Sequence, residues 1–355
     1  MDVLKPELEY IDGICYRINP SHHFVPSAAD NLIYNEDDAD CSIITAPQYL
    51  DEDETDFLNG IEEIDGGRHK TAFHVPNVFF SYIIGSKGNT RKRIETETRT
   101  KIIVPRQGQS GDIVINGPDK YSVARARKRI KGIVFVQKNR SAFTHFISIP
   151  FTDAIFQQGF LIFKDRVLET CHERGIEESI FQSEDRLHLT ICTLVLCDDV
   201  DRAEASKALQ ECKEVVITPI ISQKKLILDM TGIEYMNDDP SEVDVLYGKV
   251  SCPEDPNILQ ELTDGIVSFF VQKGIINRQY DHVKLHVTLM NTLFRHGASY
   301  DDKEKSRETF DASLIMKNFA NYHFGKAVVN RIEISLRYSS SKTGYYQATS
   351  TITIP

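Results

Sequence analysis

The chain has 355 residues, of which 41% are hydrophobic and 26% are charged, and its formal net charge is −11. This length exceeds that of one ordinary domain and predicts two folded units with tails. The apolar runs fall far short of the roughly 20 residues that a membrane helix requires. The start MDVLKPELEYIDG lacks the apolar core of a secretory signal. We therefore expect an intracellular protein with no membrane partner.

The charge is unevenly distributed along the chain. Residues 1–67 hold 2 Lys/Arg against 17 Asp/Glu (net −15), residues 68–140 hold 17 against 4 (net +13), and the remainder holds 22 against 31 (net −9). A basic block of domain size inside an acidic protein is typical of a surface that binds phosphate backbones. The alternative for this block is a solvated lysine-rich face that binds nothing.

Residues 1–67 form the first predicted region, an acidic and largely disordered tail. Acidic runs at 36–40 and 51–56 are accompanied by few periodic apolar positions, so little burial is available to offset the chain entropy. Two apolar islands, at 10–16 and 43–50, are candidates for folding onto a partner.

A regular pattern begins near residue 70 and predicts a domain over residues 68–139. Strands are expected at 70–75, 101–104 and 112–115. One helix is expected to end just before Gly85, and two more are expected at 91–98 and 120–136, which gives the order βααββα. The sequence Gly85-Ser86-Lys87-Gly88 lies between the first two helices. Glycines there let a nucleic-acid strand approach the backbone closely and leave amide groups facing phosphates.

This arrangement resembles a type I KH domain, which clamps about four nucleotides of a single strand. The resemblance implies binding of single-stranded RNA by the glycine loop and the basic helix after it. The candidate RNA-binding residues are Gly85, Ser86, Lys87, Gly88, Arg91, Lys92 and Arg93. Arg91 departs from the family, because such domains usually carry an apolar residue there. It either weakens helix packing or adds a phosphate contact.

Residues 140–355 form a larger predicted α/β domain with a weak internal repeat. Helices are expected at 153–174, 200–214, 256–273 and 312–319, and strands at 143–149, 186–197, 224–236, 244–251, 283–293, 326–337 and 344–354. The repeated unit is a helix, then Gly-Ile, then a basic residue followed by Leu-His-x-Thr. Gly175 lies 13 residues before His188 in the first copy, and Gly274 lies 12 residues before His286 in the second. The repeat predicts two lobes around a pseudo-twofold cleft.

One residue separates His188 from Thr190 and His286 from Thr288, so on a strand each pair points to one face. Two imidazoles and two hydroxyls brought together suffice for phosphodiester chemistry without a metal. One neutral His accepts a proton, a protonated His donates one, and the Thr hydroxyls donate to phosphate oxygens. Imidazole suits both roles because its ordinary pKa is about 6.5. We therefore assign His188, Thr190, His286 and Thr288 as the catalytic set.

The His-x-Thr pattern is short, and about one chance match is expected in a chain with 11 His residues, as at His69-Lys70-Thr71. For either motif separately, an edge histidine that bonds to its neighbour is an equally good interpretation. The shared flanks of the two copies favour the functional one. His282 and His286 would share a face on a helix, but the alternation V-K-L-H-V-T-L predicts a strand. The seven cysteines are scattered at no zinc-site spacing, so we expect reduced thiols, no metal and no cofactor.

The paired motifs L-H-L-T-I and L-H-V-T-L resemble the hallmark of the two-histidine (2H) phosphoesterase superfamily, in its branch with the A-kinase anchoring proteins. This resemblance implies a bilobal fold and metal-free action on RNA ends or 2′,3′-cyclic phosphates. The segment Gly344-Tyr345-Tyr346 either lines the nucleotide pocket or is an ordinary edge strand with aromatic residues.

Over its full length the chain resembles a family of subunits of the activating signal cointegrator complex. The segments that carry this resemblance, besides the KH module, are I-D-G-I-C-Y-R-I-N-P, G-I-E-Y-M-N-D-D-P, V-D-V-L-Y-G-K-V and K-L-H-V-T-L-M-N-T-L-F-R. The resemblance implies a nuclear subunit of a transcription coactivator and DNA alkylation repair complex. The implied partners are a large helicase subunit and other subunits of that complex, held through the acidic tail. Two functions stay open: an RNA-binding phosphodiesterase or nuclease, and a catalytically silent RNA- or nucleotide-binding scaffold.

Overall fold

The computed structural model describes residues 7–11, 14–18, 58–106, 109, 111–222, 224–278, 280–296 and 308–355. The chain divides into two compact units, residues 1–44 and 45–355. In the first unit, strands β1 (Glu7–Ile11) and β2 (Ile14–Ile18) pair as an antiparallel hairpin. Most of the predicted acidic tail lies outside the described residues, so its disorder stays a prediction.

A four-stranded antiparallel sheet and three helices form the domain around the glycine loop. The strands are β3 (Glu62–Ile64), β4 (Arg68–Phe73), β5 (Lys101–Ile103) and β6 (Ile113–Gly117), and the helices are α1 (Phe80–Ile84), α2 (Asn89–Thr98) and α3 (Lys120–Arg140). The strand order is β3-β4-β6-β5. From β4 onward the chain order is the predicted βααββα. The type I KH fold expected from the sequence is therefore confirmed.

Helix α3 forms where the sequence supplies both a cap and an apolar stripe. The Asp119 carboxylate accepts the Ser122 N–H at 2.8 Å, which satisfies one of the free amides of the first turn. Val123, Ala126 and Ile130 then recur at helical spacing and are fully buried against the sheet. Ile61 joins the same core, and β3 pairs with β4, so this sheet begins before the predicted boundary at residue 68.

The larger domain contains eight strands and five α-helices among its described residues. The strands are β7 (His145–Pro150), β8 (His188–Leu194), β9 (Leu226–Tyr235), β10 (Val245–Ser251), β11 (His286–Asn291), β12 (His323–Val329), β13 (Arg331–Leu336) and β14 (Ala348–Thr353). The helices are α4 (Ala154–Thr170), α5 (Asp199–Cys212), α6 (Thr218–Ile221), α7 (Ile258–Gln272) and α8 (Ser313–Phe319).

These eight strands form one antiparallel sheet in the order β12-β9-β10-β11-β8-β7-β13-β14. The order divides into two sets of four strands that meet where β11 pairs with β8. The predicted bilobal, pseudo-twofold architecture is therefore confirmed. The single strand predicted at 326–337 is wrong, because the chain leaves β12 at Val329 and enters β13 at Arg331 in the other lobe.

The core of the larger domain lies between the sheet and its helices. From α4, Phe156, Phe160 and Phe163 are fully buried, and from α7 so are Leu262 and Ile266. Each such side chain contributes roughly 1.5–3 kcal/mol on burial. This anchoring holds both lobes of the sheet against helices on one face. None of the described helices combines the length and hydrophobicity that a membrane crossing requires.

Among the described residues, two polar side-chain contacts join the KH domain to the larger domain. His74 lies 2.7 Å from the Asp198 carboxylate, and the Lys138 ammonium donates to Asp201 at 2.9 Å. Asp198 and Asp201 lie at the N-cap and in the first turn of α5, where negative charge also stabilises the helix. The Lys138 contact joins the end of α3 directly to the larger domain.

Candidate active site and RNA-binding loop

The two His-x-Thr motifs lie on adjacent strands at the junction of the lobes. Val287 of β11 pairs with Leu189 of β8, and the strands run antiparallel. This register places His286 opposite Thr190 and Thr288 opposite His188. The structure therefore brings all four residues of the predicted catalytic set to one point, related by a pseudo-twofold axis through the central pair.

The four side chains share one face of the sheet. Leu189 and Val287 are completely buried on the core face. Because side chains alternate along a strand, the flanking histidines and threonines point to the other face, where each is partly exposed. The site is thus open to a ligand from the side away from the helices.

Both imidazoles are held in the same way. His188 Nδ1 lies 2.7 Å from the Arg186 carbonyl oxygen, and His286 Nδ1 lies 2.7 Å from the Lys284 carbonyl oxygen. A carbonyl can only accept, so in each ring Nδ1 carries the hydrogen. In the neutral ring, Nε2 then keeps its lone pair. Each histidine is therefore set to accept a proton through Nε2, or to donate one from Nε2 once it is protonated.

The surroundings of His188 are aromatic. Its ring lies 5.0 Å from Phe146 and 5.4 Å from Tyr346, measured between ring centroids. Burial, together with the charge of His286 when that ring is protonated, lowers the pKa of His188 to about 4. Burial also lowers the pKa of His286, and the nearby Lys284 ammonium adds to this effect. Both rings are therefore neutral at pH 7 before a ligand binds.

Two buried tyrosines with hydrogen-bonded hydroxyls lie next to the site, one in each lobe. Tyr247 lies opposite Thr288 in the sheet, 5.5 Å from the His286 ring, and its hydroxyl donates to the Glu234 carboxylate at 2.6 Å. In the other lobe, Ser148 lies opposite Thr190 and its hydroxyl is 3.0 Å from that of Tyr345. Sequence reasoning missed Tyr247, because the run V-L-Y-G-K-V indicates a strand but not which of its residues lies next to the site.

The segment from Gly344 to Tyr346, for which the sequence left open a pocket lining or an ordinary edge strand, lies beside His188. Tyr346 packs edge-on against His188, while Tyr345 is buried beneath it. The Arg186 guanidinium lies 5.2 Å from the centre of the Tyr346 ring and donates to the Gly344 carbonyl at 3.3 Å. These contacts fix the aromatic wall next to the histidine.

Each histidine is preceded by a segment that a helix glutamine holds in place. In one lobe, Gln157 of α4 donates to the Asp185 carboxylate at 3.0 Å, three residues before His188. In the other, Gln260 of α7 donates to the Val283 carbonyl at 3.0 Å, three residues before His286. Both carbonyls that accept from the histidines lie one residue further along these held segments.

Asp264 reinforces the segment before His286. Its carboxylate accepts the Val283 N–H at 2.8 Å and pairs with His282 at 2.8 Å. His282, in the loop before β11, therefore contacts a carboxylate of helix α7. In the described part of the chain, no three His, Cys, Asp or Glu side chains are grouped as a metal site would require. The five cysteines whose side chains are described have free thiols.

The third His-x-Thr match lies elsewhere, in the KH sheet. Thr71 is buried in β4, and its hydroxyl donates to the Gly60 carbonyl at 2.8 Å. His69 in the same strand lies opposite Gly117. Residues 69–71 thus have a structural role in the KH sheet, and this third match is separate from the other two.

The glycine loop projects between α1 and α2 in a strained turn. Gly85, Lys87 and Gly88 all have positive φ, at 71°, 51° and 78°. A Cβ at Gly85 would approach the Thr90 hydroxyl oxygen to 2.2 Å, so only glycine fits there. Ser86 and Lys87 at the tip are exposed, which leaves the loop free to meet a ligand.

The basic side chains after the loop are arranged as the sequence suggested. Lys92 and Arg93 of α2 are exposed, and Arg91 is partly buried next to Gly88. The Arg91 Nε is buried without a hydrogen-bond partner among the described residues. Arg91 therefore lies beside the glycine loop, and its contact with a phosphate stays a prediction.

Comparisons with known proteins agree with both domains. The family model described as AKAP7 2′5′ RNA ligase-like domain matches residues 143–354, and the KH domain model matches residues 70–132. Activating signal cointegrator 1 complex subunit 1 of Mus musculus is 37% identical over 360 residues, which cover 98% of this chain and 98% of the mouse protein.

Solved structures of E. coli LigT are also similar. The complex with 3′-AMP is 14% identical and covers 60% of this chain and 97% of that chain, with a TM-score of 0.33. The apo form is 16% identical with the same coverage and a TM-score of 0.34. The AKAP7 2′5′ RNA ligase-like model matches more than half of the chain, and the mouse relative covers 98% of it. The chain therefore belongs to the family of activating signal cointegrator 1 complex subunit 1, and in it a KH domain precedes an AKAP7 2′5′ RNA ligase-like domain.

Proposed function

We propose that this protein is an RNA-binding phosphoesterase whose histidine pair acts without a metal on RNA ends or on 2′,3′-cyclic phosphates. The observation that carries the proposal is the cross-strand arrangement in which His188 faces Thr288 and Thr190 faces His286. A phosphorus atom between the rings would have a nitrogen base on either side and a hydroxyl donor beside each base. These are the groups that an in-line displacement at phosphorus requires.

The lowered pKa values fit this chemistry once a ligand is present. At pH 7 both free imidazoles are neutral, so either can take a proton from water or from a ribose 2′-hydroxyl. A bound phosphodiester brings a negative charge, which raises the pKa of a neighbouring imidazole and lets it hold the proton that the leaving oxygen needs. Thr190 and Thr288 donate to the non-bridging oxygens, where negative charge builds up.

The KH domain supplies the RNA. Its loop presents Ser86 and Lys87 outward, with Lys92 and Arg93 exposed on the helix that follows. Such a loop holds a single strand through its phosphates while the bases are read by the adjacent groove. The +13 charge of residues 68–140 supports this role.

We further propose that the protein works as a nuclear subunit of the activating signal cointegrator 1 complex. The name of the mouse relative, which spans 98% of this chain, supports membership of such a complex. A role in transcription coactivation and DNA alkylation repair, with a large helicase subunit as partner, rests on the family resemblance. Co-purification of the tagged protein from nuclear extract, with the partners identified by mass spectrometry, tests this part.

Activity is tested with end-labelled RNA oligonucleotides, carrying either a 2′,3′-cyclic phosphate or a 3′-hydroxyl, incubated with the protein in EDTA. We expect hydrolysis or 3′-end shortening, and a fall of about 100-fold or more in His188→Ala and in His286→Ala. A 2′-deoxy sugar next to the 3′ end distinguishes attack by the 2′-hydroxyl from attack by water. RNA that stays unchanged at high protein concentration, while both variants still bind it, would show instead a silent RNA-binding scaffold.

A further inference from the structure

The two lobes repeat the histidines and threonines but differ in the residue beside each histidine. On β10, Lys249 lies directly opposite His286. On β7, the corresponding residue opposite His188 is Pro150. Opposite residues of an antiparallel pair share a face, so the site face carries a cation next to one histidine and an apolar ring next to the other.

Lys249 is exposed, and the fold makes room for its side chain. A Cβ at Gly232, which has φ +86°, would come within 2.7 Å of Lys249 Cε and 3.4 Å of Nζ. Glycine at this position therefore leaves the space in which the lysine stem lies over β9, the neighbour of β10 on the side away from β11. Within the described residues, no carboxylate forms an ion pair with the Lys249 ammonium.

A second ammonium group lies on the same side. The Lys284 Nζ is 4.8 Å from the centre of the Tyr247 ring, and its charge helps to lower the pKa of His286. The equivalent residue of the other lobe, Arg186, is occupied by the Tyr346 ring and by the Gly344 carbonyl. A cation and an aromatic ring thus lie near each histidine, and the difference between the lobes is Lys249, whose place Pro150 takes in the other lobe.

We propose that Lys249 and Lys284 form a second phosphate subsite on the His286 side of the cleft. A second phosphate of the same ligand would lie at these ammonium groups, and the nucleoside that joins it to the phosphate held between the histidines would lie between the two. A lysine is a point charge on a flexible stem, well suited to a neighbouring phosphate oxygen. The preferred ligand then carries two phosphates, as an oligonucleotide end does, and not one. The position of the first phosphate rests on the proposed function.

Equilibrium binding tests the subsite independently of catalysis. Isothermal titration of the full chain with adenosine 3′-monophosphate and with adenosine 3′,5′-bisphosphate should show about tenfold tighter binding of the bisphosphate. Lys249→Ala should remove most of that preference, Lys284→Ala should weaken it, and Lys249→Arg should keep it. Lys207→Ala on α5, which removes a lysine with 80% side-chain exposure outside the cleft, is the matched control and should change nothing.

The same titrations in a Ser86→Asp, Lys87→Asp double variant separate the cleft from the KH loop. The preference for the bisphosphate should persist there. Equal affinities for the two nucleotides, no binding of either at millimolar concentration, or a preference that disappears with the KH loop variant would overturn the subsite. If the parent protein leaves the labelled RNA unchanged, but the bisphosphate preference depends on Lys249, the proposed activity fails and the subsite stands.

Discussion

Val287 of β11 lies directly opposite Leu189 of β8, and this pair joins the two lobes of the sheet at its centre. Both side chains are completely buried, so the point at which the lobes meet is anchored in the core. The histidines and threonines are the immediate neighbours of this pair on each strand. Their mutual spacing is therefore set by backbone pairing and not by a flexible loop, which gives the preorganisation that acid–base chemistry requires.

The two threonines should matter for rate more than for folding. Thr190→Val and Thr288→Val each keep the shape of the side chain but remove the hydroxyl, so we expect the rate of RNA cleavage to fall about 100-fold while binding changes little. Single-turnover kinetics on the labelled RNA measure this. Thr351→Val, on the edge strand β14, is the control. A loss in the control as large as in the site variants would contradict the assignment.

Burial of His188 should make stability depend on pH. Its pKa falls from an ordinary 6.5 to about 4 in the folded protein, so below pH 6.5 the unfolded chain takes up the proton first. This contribution to stability is complete above pH 6.5 and is lost as the pH falls towards 4. Urea unfolding at pH 7, 5.5 and 4.5 should show a smaller decline in His188→Gln than in the parent protein. Equal declines would mean that the surroundings of the ring do not lower its pKa.

Asp264 should act on His286 through the segment that it holds. In Asp264→Ala, Val283 and His282 lose their acceptor, and the Lys284 carbonyl that receives the His286 Nδ1–H becomes less fixed. We expect a mixture of His286 tautomers in long-range ¹H–¹⁵N spectra, and a fall in kcat of up to about 100-fold. His188 in the other lobe is the internal control. An unchanged His286 tautomer would show that Asp264 only stabilises the loop.

The exposed tip of the glycine loop should govern RNA affinity without affecting stability. Replacing Ser86 and Lys87 by Asp places two negative charges where phosphates are expected, so binding to single-stranded RNA should be abolished. The melting temperature should barely change, because both side chains are exposed and surface changes cost within about 0.5 kcal/mol. Fluorescence anisotropy and thermal unfolding measure the two effects. Lys317→Asp on α8 is the charge control, and unaltered affinity in the loop variant would give the basic block another role.

Local sequence patterns determined many of the strands and turns of this protein. The spacing of His188 to Thr190 and of His286 to Thr288, with apolar residues between and around them, predicts strands that carry both groups on one face. The glycines of the loop and the capping Asp119 mark the turns of the KH domain in the same way. These features depend on neighbours within a few residues, and backbone geometry dictates them directly.

Tertiary structure decided the rest. No local pattern shows that the chain turns out of one lobe at Asn330, that Tyr247 and Tyr346 flank the histidines, or that Lys249 faces His286 while Pro150 faces His188. These relationships join residues tens to hundreds of positions apart. They are fixed by which strands pair and in which register, and that choice depends on the packing of the whole core.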